Sequence, residues 1–205
     1  MNAGNPDLLT IIVLAAGLSR RMGDKNKLLL PVKGKSMLET TLDNILAAGV
    51  GEEILLVTGH ESDRIRPLLA GRSVREIFNP DYTLGMTSSI QAGVRAASSG
   101  VAGYMICLAD MPLIEPDIYR SIARLFSETH AVEPRTILQP VFESTPGNPV
   151  VLSAFYRAEI LALDFPEGCK PIVQANREFV VQATLASDSI LRDVDTDEAW
   201  ENLPE

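Results

Sequence analysis

Apolar positions along this chain cluster in two ways that alternate from end to end. Continuous apolar, β-branched runs at 9–15 (LTIIVLA), 53–58 (EILLVT) and 104–108 (YMICL) predict strands buried on both faces. Shorter runs at 74–78, 136–141, 149–152 and 179–185 predict further strands. Between them, apolar residues recur at helical spacing over 36–48, 61–69, 87–97, 116–127, 154–163 and 197–202. The helix over 36–48 has the clearest ends. Ser36 can cap it, Glu39 follows three residues on, and Gly49 stops it. Residues 79–86 are rich in turn formers and predict a loop. Fully apolar strands separated by helices predict an α/β fold with a mostly parallel sheet covered on both faces. Open sheets of this kind bind ligands at the carboxyl ends of their strands, which directs attention to loops 16–27, 59–60 and 109–112.

A length of 205 residues suits one domain with a substantial core. The net charge of −9 argues against a nucleic-acid partner or an anionic membrane surface. The distribution of charge adds more. Arg20, Arg21, Lys25, Lys27, Lys33 and Lys35 crowd the stretch 17–35 with one acid, Asp24, whereas 188–205 is strongly acidic. A basic cluster inside an acidic chain predicts a local anion site. Cys107 and Cys169 form no metal-binding or disulfide pattern, no apolar run is long enough to span a membrane, and MNAGNPDLLT lacks the features of a secretory signal. The expected setting is the cytoplasm.

Three segments carry candidate chemistry. Directly after the first strand comes Leu14-Ala15-Ala16-Gly17-Leu18-Ser19-Arg20-Arg21-Met22-Gly23-Asp24-Lys25-Asn26-Lys27. Small residues let the backbone approach a ligand, successive N–H groups can cradle phosphate, and Arg and Lys match a triphosphate's charge. The spacing is neither a Walker A loop nor a dinucleotide fingerprint, because five residues separate Gly17 from Gly23 and no Lys-Ser/Thr pair follows. Asp110, in Leu108-Ala109-Asp110-Met111-Pro112, stands at a strand's carboxyl end where a carboxylate can hold Mg²⁺ against phosphates; the alternative is a turn cap ahead of Pro112. Asp195, in Asp193-Val194-Asp195-Thr196, is a second candidate, although such residues also cap helices. Gly85-Met86-Thr87-Ser88-Ser89 lies at a loop-to-helix junction whose free N–H groups suit phosphate, ribose or base edges, or simple capping. His60 and His130 belong to no catalytic constellation, and Met86 reads as a loop filler.

With those residues in view, LAAGLSRRMGDKNKLLLP at 14–31 resembles the signature of the nucleotidyltransferases that act on the molybdenum cofactor. GMTSSI at 85–90, ADMP at 109–112 and DVDT at 193–196 follow in the same order. The Ala-Ala-Gly form is similar to the CTP-using branch, where the GTP-using branch typically carries Gly-Gly. The resemblance implies a Rossmann-like three-layer α/β/α domain over 1–205, with 1–8 a flexible N-terminus. It implies a nucleotide site of Leu14, Ala15, Ala16, Gly17, Ser19, Arg20, Arg21 and Lys27, with Gly59, Gly85 and Ser89. Lys27, Arg21 and Asp110 would be catalytic, and Asp110 and Asp195 would bind Mg²⁺, with Asp193 the alternative second acid. The implied reaction moves CMP from CTP to a phosphate on a molybdopterin-type acceptor, and a molybdoenzyme or its maturation chaperone would be a further partner. GTP or a sugar phosphate would be alternative substrates, and a non-catalytic nucleotide or cofactor delivery protein is a different class of reading. Two stretches depart from the pattern on the acceptor side. Gly147-Asn148-Pro149 lacks the His common before that Pro, and Gly168-Cys169-Lys170-Pro171 replaces a Gly-Asp-x-Gly sequence.

Overall fold

The computed structural model describes residues 9–19, 25–164, 166 and 168–203, and residues 1–8, expected to be a flexible N-terminus, lie outside them. Its centre is strand β1, Leu9–Ala15, in which every other side chain points to an opposite face. Ile11, Val13 and Ala15 enter one core cluster and Ile12 enters the other. This two-sided burial is why the run is apolar throughout. A small antiparallel hairpin, β2 (Pro31–Val32) with β3 (Lys35–Ser36), leads into helix α1, Met37–Ala48. The caps of α1 are those the sequence predicts. Ser36 Oγ accepts from the Glu39 N–H, the Glu39 carboxylate accepts from the Ser36 N–H, and Gly49 closes the helix in the left-handed region.

Strand β4, Glu53–Thr58, pairs parallel with β1. Helix α2, Ser62–Ile65, tightens at once into a 3₁₀ turn, Arg66–Leu69, because Pro67 has no N–H to continue the α-helical ladder. Strand β5, Arg75–Phe78, pairs parallel with β4 at the edge. After a 3₁₀ turn at Tyr82–Leu84 comes helix α3, Met86–Ala96, and then β6, Gly103–Leu108, which pairs parallel with β1 on its other side. The chain thus builds outward from β1 in one direction and then reverses. That reversal leaves a crevice at the carboxyl ends of β1 and β6.

Helix α4, Pro116–His130, precedes β7 (Ile137–Phe142), which turns back through β8 (Thr145–Pro146) into β9 (Val150–Ser153). Strand β9 runs antiparallel to both β6 and β7, between them, so the sheet is mixed at this point rather than uniformly parallel. The segment read as one helix over 154–163 is a 3₁₀ turn, Ala154–Tyr156, followed by α5, Arg157–Ala162. Helix α6, Lys170–Ala175, escaped the periodicity reading because only six residues form it. Strand β10, Val180–Thr184, pairs parallel with β7, and a short α7, Asp197–Glu201, follows. The strand order is β10-β7-β9-β6-β1-β4-β5 in an eight-stranded sheet, with β8 on β7. Side chains of α1 and α4 fill one face, and those of α3, α5 and α6 the other, giving the three-layer α/β/α arrangement.

Loss of the α1 cap should be measurable without disturbing the sheet. Ser36→Ala is expected to cost about 1 kcal/mol, which for a chain of this size lowers Tm by roughly 2–4 °C in thermal unfolding. Hydrogen bonds from the Ser36 backbone, reinforced by its side chain, hold the Glu39 carboxyl below the usual carboxylate range. A depressed folded-state pKa gives stability that is present at neutral pH and lost on acidification. The stability gap between wild type and Glu39→Gln should therefore close as pH falls from about 7 to about 3. A gap independent of pH would contradict the capping assignment.

Candidate active site

A cavity of about 450 Å³ opens at the β1–β6 crevice. Its walls come from the loop after β1, from Lys27 and Leu28, from the segment Tyr82, Thr83, Gly85, Met86 and Ser89, and from Leu108, Asp110, Asp193 and Asp195. Each wall is held in place by main-chain bonds. The Ala109 N–H donates to Leu14 O at 3.2 Å, while Thr41 Oγ1 on α1 donates to Ala109 O at 3.1 Å. The Val194 N–H donates to Asp110 O at 3.0 Å, which ties the C-terminal segment to the end of β6. Lys27 begins a 3₁₀ turn, Lys27–Leu29, whose preceding residue Asn26 accepts from the Leu28 N–H through its side chain. Trp200 Nε1–H donates to Pro31 O at 2.9 Å, and Val32, Met37 and Val194 pack with Trp200 and Leu203. The C-terminal segment is thereby clamped to the hairpin that follows Lys27.

The Lys27 ammonium donates to both Asp110 Oδ2 and Asp195 Oδ1. Side-chain exposure of 13% for Lys27 and 14% for Asp110 shows that this contact is largely withdrawn from water, whereas Asp195 keeps 33%. Burial by itself lowers the pKa of Lys27, but attraction and hydrogen bonds from Asp110 and Asp195 outweigh it and raise the pKa overall. Asp193 is shifted upward, first by burial and then by the like charges of Asp195 and Asp110. One oxygen from each of Asp110, Asp193 and Asp195 lies within 4.8 Å of the others. Among the described residues Asp110 Oδ1 is buried without a hydrogen-bond partner. An unsatisfied buried carboxylate oxygen facing two more carboxylates fits a divalent cation that prefers hard oxygen ligands.

Ten residues predicted for the site line this one cavity: Leu14, Ala15, Ala16, Gly17, Ser19, Lys27, Gly85, Ser89, Asp110 and Asp195. Arg20 and Arg21 lie outside the described residues. Gly59 does not line the cavity. It lies against Tyr82, where an added Cβ would come 2.5 Å from the Tyr82 Cβ, so its smallness serves the approach of that ring. Ala15 belongs to the core cluster beneath α1 and α4, and Ala16, in neither core cluster, is buried as well. Tyr82 and Thr83 gave no signal in the sequence, because an aromatic in a turn-rich loop has no periodicity to mark it. Met86, read as a loop filler, instead starts α3 and lines the cavity.

A second cavity of about 650 Å³ adjoins the first and shares Met86 and Leu108 with it. Both departures from the family pattern line it, through Asn148 and through Gly168, Cys169 and Lys170. Gly147 is needed for backbone approach, since a Cβ there would lie 2.5 Å from Ile190 O. The Asn148 N–H donates to that carbonyl at 2.9 Å. Burial, with Glu159 adding to it, pushes the Cys169 thiol up to about 12, so it is not a nucleophile at neutral pH.

Residues 11–180 match the family described as the MobA-like NTP transferase domain. The chain belongs to that family and is a nucleotidyltransferase. It is 32% identical over 143 residues to a molybdenum cofactor cytidylyltransferase of Escherichia coli K12, covering 69% of this chain and 68% of that one. It is 33% identical over 138 residues to the bifunctional protein GlmU of Listeria monocytogenes, covering 66% of this chain but only 29% of that protein. A crystal structure from Mycobacterium tuberculosis H37Rv, in complex with manganese, shares the fold with a TM-score of 0.77 at 22% identity, covering 95% of this chain and 96% of that one. Among the described residues no helix is long and apolar enough to cross a membrane.

Three mutually repelling carboxylates make metal binding a stabilising event. Mg²⁺ or Mn²⁺ at about a hundredfold over Kd should stabilise the fold by about 2.7 kcal/mol, a rise in Tm of roughly 5–10 °C for a chain of this length. Differential scanning calorimetry should show that rise in wild type and lose most of it in Asp110→Asn. An equal rise in the variant would place the cation elsewhere.

Proposed function

We propose that this nucleotidyltransferase moves CMP from CTP to a phosphate on a molybdopterin-type acceptor and releases pyrophosphate, with Mg²⁺ as the cation. The observation that carries the reading is the contact of Lys27 with Asp110 and Asp195, seated beside the small-residue loop and opening onto the second cavity. The Escherichia coli relative and the Ala15-Ala16-Gly17 form support CTP over GTP. The acceptor occupies the second cavity, so that its phosphate meets the nucleotide beside Leu108 and Met86, the two residues both cavities share. We place the reaction in the cytoplasm, with a molybdoenzyme or its maturation chaperone receiving the product.

In this reaction an acceptor phosphate oxygen forms a bond to the α-phosphorus while the bond from that phosphorus to the β-phosphate bridging oxygen breaks. The acceptor phosphate is already a nucleophile, so no side chain has to remove a proton. Backbone N–H groups after β1 orient the triphosphate, and Lys27 neutralises charge that builds on the departing pyrophosphate. Arg20 and Arg21 supply further positive charge from the same loop. Asp110 and Asp195, with Asp193 beside them, would hold the cation, which would supply positive charge against the triphosphate. The GlmU relatives favour a second reading, in which the acceptor is a sugar phosphate. A non-catalytic delivery protein would not require the carboxylate cluster around Lys27.

Asp110→Asn should fold as wild type and lose about 10²-fold or more in kcat, the range for removing one preorganised charge-stabilising group. Pyrophosphate release measures this, and activity within about threefold of wild type would exclude the assigned role. Base choice is tested by comparing kcat/KM for CTP, UTP, GTP and ATP with molybdopterin as acceptor. CTP should lead, and Ala16→Gly should raise use of GTP if the loop selects by size. A wild-type preference for GTP would move the chain to the guanylyl-transferring reading, and turnover of glucosamine 1-phosphate in place of molybdopterin would favour the sugar-phosphate one.

A further inference from the structure

The floor of the second cavity is the sheet itself. Ile106 and Leu108 of β6, Val150 and Leu152 of β9, Gln139 of β7 and Gln182 of β10 all face it. Those four strands are neighbours in the order β10-β7-β9-β6. At about 4.8 Å per strand they span roughly 14 Å. Met86 and Ile90 of α3 and Val173 of α6 form further apolar walls. The polar groups on the floor are therefore conspicuous. Gln139 and Gln182 are register partners on adjacent parallel strands, so their carboxamides stand side by side. Neither side chain makes a hydrogen bond to the described residues, although each offers two donors and an acceptor.

We propose that Gln139 and Gln182 select the acceptor by hydrogen-bonding the amide-like edge of a planar, anionic heterocycle laid flat on this floor. The inference rests on the reading that the chain transfers a nucleotide to a phosphate-bearing acceptor, and it names the residues that read the acceptor's ring. A flat ring covers the partly exposed Val150 and Leu108 with an apolar face and turns its edge to the two glutamines. Gln139 is half-buried and Gln182 exposed, so a ring laid over them would take their carboxamides out of water, and one that pairs both is preferred over one that pairs neither. A sugar is puckered rather than planar and offers no amide edge to pair with the two carboxamides.

Charge points the same way. Among the described residues the second cavity is lined by Lys170 and Arg177 and by no carboxylate, in a chain of net charge −9. Both cations are exposed, and among the described residues neither forms an ion pair. The neighbouring nucleotide cavity carries three carboxylates instead. An anionic acceptor is thus drawn to the second cavity, and its phosphate can extend past Leu108 toward Asp110.

The probe is pterin-6-carboxylate, a fluorescent planar heterocycle with an amide edge and an anionic arm. Its Kd is measured by fluorescence titration of the full chain, with glucosamine 1-phosphate tested as a competitor and CTP titrated separately. Gln139→Leu and Gln182→Leu conserve approximate volume and suit a strand, and thermal unfolding checks that each folds. Each should weaken the pterin by about 3- to 10-fold, the range for a neutral hydrogen bond, while CTP affinity stays within about twofold. Unchanged pterin affinity in both variants overturns the inference and leaves the transfer reaction standing. Competition by glucosamine 1-phosphate at lower concentration than the pterin requires overturns both the inference and the molybdopterin reading. Failure of wild type to bind any nucleoside triphosphate would instead overturn the nucleotidyl-transfer reading, and pterin binding would still report on the glutamines.

Discussion

The contact between the Lys27 ammonium and the carboxylates of Asp110 and Asp195 joins three segments that are far apart in sequence. Asp110 alone would be a carboxylate at the end of an apolar strand, with one oxygen left unsatisfied. Asp195 and Asp193 brought beside it would only add repulsion. A cation is what makes their approach tolerable, and the Lys27 ammonium supplies that charge. The main-chain bond from Val194 to Asp110 and the packing of Trp200 against Pro31 hold the C-terminal segment where this contact requires it. The chemistry of the pocket and the closure of the fold at its C-terminal end are therefore one arrangement.

The sheet contributes through its topology. Because β6 returns to the opposite side of β1 from β4, the loops after β1 and β6 face each other across a crevice. Because β9 then enters antiparallel between β6 and β7, the sheet continues past that crevice as an apolar floor. The nucleotide cavity and the second cavity meet at Leu108, the last residue of β6. A transfer enzyme needs two ligands in contact and no third wall between them, and this strand order provides that geometry.

Burial sets the two cavities apart chemically. Around Lys27 the carboxylates of Asp110, Asp193 and Asp195 concentrate negative charge that favours cations. Around Gln139 and Gln182 the lining is aliphatic and neutral, with positive charge from Lys170 and Arg177. The Cys169 thiol, raised by burial, stays protonated beside the second cavity.

Much of this was legible in the sequence by itself. The strands at Leu9–Ala15 and Glu53–Thr58 have the bounds their apolar runs predict, and the Ser36 cap and Gly49 stop of α1 are local events set by residues three or four apart. The small-residue loop, Asp110 and Asp195 were also visible, because each stands beside an element boundary that periodicity marks. What tertiary structure decided depends on contacts between distant residues. Gly59 carries a loop-glycine signature, yet it serves the packing of Tyr82, and Ala15, within the small-residue loop motif, belongs to the core. The antiparallel course of β9, the short helix α6 and the pairing of Gln139 with Gln182 leave no periodic trace, since register between strands is set by how whole elements pack. Local propensity fixes which segments are strands and helices; only the packed sheet determines which of their side chains meet.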